Sequence, residues 1–224
     1  MAAPMLYDVA LSITQSYGSP AVGARQVVRL VPPTLPGEQE VIVSSLSADP
    51  IPDERRDRRD FFGNGVVEIA YRGPQEHIDY KVTARVRRLV SPPQLQLSPD
   101  IAGLATEIAK VRSVGPDAPH HFRSASPRVP HVPALAAYAR KSVTITGSAL
   151  ECVETLGLAL YRDMKFDPEA TTVATPVAEA FEARHGVCQD FSHIMIGCLR
   201  SLGIPAGYVS GFLRISFRAN TFNV

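Results

Sequence analysis

The chain has 224 residues, 45% hydrophobic and 20% charged, enough to bury a core in one large domain or two modest ones. Lys and Arg number 23 against 22 Asp and Glu, a formal net charge of +1, so no bulk attraction to nucleic acid or an anionic membrane is expected. No stretch nears the roughly 18 consecutive apolar residues of a spanning helix, and Met1 to Met5 lacks the basic start and apolar core of a secretory leader, so a cytoplasmic location is the expectation.

Leu6 to Thr14 alternates apolar and polar residues with period two, the pattern of a half-buried strand, and Tyr17-Gly18-Ser19-Pro20 reads as a turn after it. Further strand-like runs come at Ala24 to Val31, Glu40 to Ser47, Val66 to Arg72 and His77 to Leu89, separated by proline and glycine. An antiparallel β domain over residues 1–91 is predicted. The run Asp53 to Asp60 holds four acids and four bases, so its field nearly cancels and a solvated loop or strand edge is expected. Asn64-Gly65 after Phe61-Phe62-Gly63 signals a hairpin.

Prolines crowd residues 92–133, which read as a connector with one short helix, Ile101 to Val111. His120, His121 and His131 lie there without the convergent spacing of a metal site, and neither a metal nor a cofactor is predicted. Helices are expected at Val132 to Ser142, Ala149 to Lys165 and Pro176 to Arg184. The second carries an apolar face, with Leu150, Val153, Leu156, Leu160 and Met164 at three- and four-residue steps. Thr175 is placed as an N-cap before proline.

A last helix opens at Cys188 and stops at Leu202-Gly203, where glycine at the C-cap and Pro205 two residues on end it. The first turn of a helix carries unpaired N–H groups and partial positive charge, so a thiolate at Cys188 is stabilised there, with Gly186 expected to keep the approach open. Burial as an ordinary apolar residue is the competing reading. Cys152, Cys188 and Cys198 cannot all pair, and the last two lie about 15 Å apart along one helix axis. Asp190, in the first turn, reads as a capping carboxylate. His193, five residues along, points roughly 140° from Cys188 at about 100° per residue, so a structural hydrogen bond is expected of it. Gln189 is a candidate for polarity near the thiol, and His185 has no role indicated by a motif.

Gly186-Val187-Cys188-Gln189-Asp190-Phe191-Ser192-His193, followed by Leu199 to Ala206 and Tyr208-Val209-Ser210-Gly211, resembles the bacterial transglutaminase-like family. Tyr17-Gly18-Ser19-Pro20, Arg29 to Pro32, Asp60 to Asn64 and Tyr80-Lys81-Val82 resemble the N-terminal domain that often precedes that core. The resemblance implies an α+β chain: a β domain at 1–91, a connector at 92–133, and the first half of a papain-like transglutaminase core at 134–224. It implies Cys188 as nucleophile, a following strand at Ala206 to Leu213, and acyl transfer or hydrolysis at amide bonds of a protein or peptide substrate through a Cys188 thioester. The family's later histidine and aspartate contexts are absent, with no histidine after His193 and no tryptophan. The expectation is a truncated core of impaired activity, whose uncovered apolar surface favours a homo-oligomer or a complementing chain. A catalytically inactive homologue that binds a peptide or protein is the alternative, so whether this chain is an enzyme stays open.

Overall fold

The computed structural model describes residues 4–90, 95–144 and 147–213. It separates into two compact units, Met1–Gln94 with Ser210–Val224, and Leu95–Val209. The architecture is α+β, antiparallel sheets first and helices after.

In the β unit, strand β1 (Met5–Ala21) and β3 (Gln39–Asp49) flank the central β6 (Gln75–Arg88), both antiparallel to it. A second sheet sets β5 (Gly65–Ala70) between β2 (Arg25–Val28) and β4 (Glu54–Arg59). Period-two burial on β6 drives the arrangement: Ile78, Tyr80, Val82, Ala84 and Val86 are all buried, with polar or charged residues between them. The first three pack with Leu46, Val67, Ile69 and Tyr71, so both sheets contribute to one core.

The charged run forms β4, an edge strand with every residue exposed, where side-chain charge discourages pairing with another chain. Its hairpin to β5 is closed by Asp60, whose carboxylate accepts from the N–H groups of Phe62 and Asn64, while Gly63 takes φ 81°. The turn expected at Tyr17 to Pro20 lies later, at Val22-Gly23, where Gly23 adopts φ 68°. Strand β1 absorbs Gly18-Ser19-Pro20 through a register irregularity between Ser16 and Ala21, and an edge strand tolerates proline there.

The helical unit contains α1 (Ile101–Lys110), α2 (Pro133–Ser142), α3 (Ala149–Asp163), α4 (Val177–Ala183) and α5 (Cys188–Ser201). Local chemistry sets the boundaries. Asp100 caps α1 through the Gly103 N–H, and Ser148 with Glu151 forms a capping box on α3. Thr175 does not cap α4; its hydroxyl accepts from the Thr172 N–H instead, and Pro176 holds the cap position. Within residues 95–132, Ile101 and Leu104 lie against the helical core, and Ile108, Ala118 and Val129 are buried, while Leu95, Leu97 and Val114 are exposed.

Helix α5 is central, touching α2, α3 and α4. Ile194 and Cys198, one turn apart, are fully buried in a core with Leu135, Leu156, Leu160 and Phe181. Gly197 permits the close approach of α2, because a Cβ there would lie 2.7 Å from Leu135 Cδ1. At the other end, Gly203 (φ 83°) gives its N–H to Arg200 O and Ile204 gives its N–H to Leu199 O, a Schellman stop with Leu199 and Ile204 both buried in the helical core.

Candidate active site

The chain reaches α5 along a two-residue strand, β8 (His185–Gly186), which pairs in parallel with β7 (Lys165–Phe166). Asp167 N–H donates to Gly186 O, so the approach to the helix is held on one side by backbone bonds. Val187 is extended (φ −99°, ψ 177°) and turns the chain into the helix, leaving Cys188 as its first residue. The Cys188 side chain is exposed. None of the described residues accepts a hydrogen bond from the N–H groups of Cys188 or Gln189, which a helix start leaves without intrahelical partners. Two donors and a thiol therefore share one turn.

Asp190 fixes this turn from beneath. Only 1% exposed, its carboxylate accepts from Val187 N–H at 2.8 Å and from Thr171 Oγ1 at 2.5 Å. This is half a capping box: valine at the cap position has no side-chain oxygen to complete the other half. Gly186 makes room for this carboxylate. A Cβ at 186 would stand 2.6 Å from Asp190 Oδ2 and 2.9 Å from its Cβ.

The three cysteines divide cleanly. Cys198 is wholly buried, with Sγ 3.6 Å from Leu135 O, and desolvation pushes its thiol up to about 12. Cys152 is 2% exposed, with Sγ 3.7 Å from Thr144 O, and burial raises its thiol too, helped by Glu151. Both are held as neutral packing groups. Cys188 alone of the three reaches solvent.

The polar candidates have other surroundings among the described residues. His193 is half-buried, its ring centroid 5.4 Å from that of Tyr208, and among the described residues it makes this aromatic contact in place of the expected hydrogen bond. Burial lowers its pKa below the usual 6.5, with Asp190 opposing that shift and Arg128 adding to it. His185 Nδ1 is buried and has no partner among the described residues. His120 and His121 each place Nε2 against a backbone carbonyl, of Val111 and Val114 respectively. Gln189 is half-buried in the first turn.

Residues 7–87 match the bacterial transglutaminase-like N-terminal region, and residues 133–223 match the transglutaminase-like superfamily core. The chain belongs to the bacterial transglutaminase-like proteins. Uncharacterised proteins of Mycobacterium tuberculosis and Mycobacterium bovis are each 29% identical over 202 residues, covering 90% of this chain and 61% of theirs. The crystal structure of a protein provisionally described as a cysteine protease, from Cytophaga hutchinsonii, superposes with a TM-score of 0.65 at 20% identity, over 91% of this chain and 66% of that one. The likeness extends through both units at the level of fold. The chain spans about 61% of the length of its curated mycobacterial relatives.

In this transglutaminase-like chain, Ala206 to Leu213 does not form the expected strand. A strand needs a neighbour to take its backbone bonds, and none of the described strands pairs with this segment. Its start is anchored otherwise: Ala206 N–H donates to Phe122 O, and Arg200 Nε donates to Ala206 O at 2.9 Å. Thr171 is the site residue that sequence reasoning missed. It lies 19 residues from Asp190 in an irregular loop, with no periodicity to flag it.

Proposed function

We propose that Cys188 is the nucleophile of an acyl-transfer site acting on amide bonds of a protein or peptide. The observation that carries this reading is the contrast among the thiols: the exposed one opens the central helix beside two unengaged N–H groups, while the other two are buried. Membership of the transglutaminase-like superfamily and the cysteine-protease description of the Cytophaga protein support it.

In the proposed reaction, Cys188 Sγ attacks the amide carbonyl carbon and its proton passes to a base. The helix-start N–H groups face the charge developing on the oxygen. The C–N bond breaks, the amine departs with a proton, and a thioester remains. Water attacking the thioester yields an acid, and an amine yields a new amide. The base and its orienting acid are assigned to no described residue.

The test uses a glutamine peptide with hydroxylamine as acceptor. Hydroxamate formation reports transfer and ammonia release without hydroxamate reports hydrolysis, and both are expected to vanish in Cys188→Ala. Turnover that survives this substitution overturns the proposal.

A further inference from the structure

A pocket of about 720 Å³ opens on the helical unit between α2 and α3, lined by Tyr138, Lys141, Ser142, Arg162, Asp163 and Arg184. Its charged groups are Lys141 from α2, Arg162 and Asp163 from α3, and Arg184 from the end of α4, three cations against one acid. The acid is already engaged. Asp163 takes Arg162 Nε at 2.8 Å and the Tyr138 hydroxyl at 2.9 Å, and these bonds, with the charges of Arg162 and Arg184 adding to them, hold its carboxyl below the usual range. Arg184 and Lys141 make no direct ion pair among the described residues, and Arg184 reaches Asp163 only through its field.

Arg184 is held in an unusual way. It takes the left-handed conformation, φ 59° and ψ 23°, as the residue that ends α4. Few residues other than glycine, asparagine and aspartate adopt it. The side chain lies with Cζ 3.9 Å over the Phe181 ring and 5.2 Å from the Tyr138 centroid. Packing on the rings accounts for the flat face of the guanidinium. It leaves the N–H edge, the part that binds oxyanions in bidentate fashion, without an acceptor among the described residues.

We propose that this pocket binds an oxyanion, a phosphate or a carboxylate, between the edge of Arg184 and the ammonium of Lys141. The site is separate from the Cys188 chemistry and is read by binding alone. The experiment titrates the full chain calorimetrically with inorganic phosphate in one arm and a triglutamate peptide in the other, at sodium chloride-matched ionic strength. Saturable binding in either arm is expected. Phosphate alone assigns a phosphate-bearing ligand, and peptide alone assigns an acidic polypeptide.

Lys141→Gln on the exposed end of α2 is expected to weaken binding about threefold, and Arg184→Asn, which suits the left-handed backbone, about tenfold or more. Lys110→Gln, outside the pocket, is expected to leave it unchanged. Should Arg184→Asn fail to fold, Lys141→Gln carries the decision. No saturation up to about 10 mM in either arm, or binding indifferent to both pocket substitutions, overturns the proposal.

Discussion

Cys188 and Cys198 stand on the same helix, yet the two turns that hold them prepare opposite chemistry. The first turn of α5 is open, with an exposed thiol above a buried acid. The third turn is sealed, with a thiol against Leu135 O and a pKa driven up to about 12 by desolvation. The contrast teaches that helix position sets what a cysteine can do: the capping end offers donors and solvent, the middle offers only packing. The cost of the open end is met below it. Asp190, Thr171 and Gly186 form a tight polar bracket that fixes the first turn without covering it.

The largest effect that would break this contrast comes from Cys188→Ala. Amide turnover is expected to fall on the order of 10³-fold or more, with the urea midpoint nearly unchanged because the side chain is exposed. A large loss of stability with turnover retained would reverse the roles of the two ends.

Next comes the bracket. Asp190→Ala leaves Val187 N–H and the Thr171 hydroxyl without their acceptor in a buried place, and a loss of about 2–4 kcal/mol is expected in urea unfolding. Gly186→Ala forces a Cβ against Asp190 Oδ2 and is expected to cost about 1–3 kcal/mol. If either substitution were neutral, the first turn would be held by something other than this carboxylate.

The sealed end has a pH signature. The Cys198 thiol is held protonated in the fold, up to about 12 against an ordinary value of 9.0, so the unfolded chain loses this proton first as pH rises. The stabilisation is therefore complete below about pH 9 and is lost on going up toward 12. Urea unfolding of wild type and Cys198→Ala across that range is expected to converge at high pH. Native protein at pH 8 is likewise expected to give one fast thiol with a disulfide reagent, and three in denaturant.

The smallest effect lies with His193, whose pKa is lowered first by burial. The fold prefers its neutral ring, so stability is present above the ordinary value of 6.5 and declines as pH falls below it. His193→Gln is expected to flatten that acid-side slope, read as the urea midpoint between pH 7 and pH 5.

What could be read in advance follows from range along the chain. The start of α5 at Cys188, its stop at Gly203, the apolar face of α3 and the strand-like run at β6 are encoded by neighbours a few residues apart, and the structure places them as expected. Asp190 as a capping group was legible for the same reason. Thr171 as its partner was not, because a contact across 19 residues leaves no period. That Gly186 makes room for Asp190 was not legible, because sequence shows only that a side chain is missing, not which atom fills the space. Ala206 to Leu213 has strand-like residues, but pairing is a tertiary property and no described strand supplies it.

The most direct test of the central claim is acid-quenched intact mass, with peptide mapping, after brief mixing of the chain with an activated acyl ester of a glutamine peptide. The account predicts one acyl group per chain, bound as a hydroxylamine-labile thioester on Cys188 and missing from Cys188→Ala. Acylation mapped to another residue, or an adduct that persists in Cys188→Ala, would contradict it.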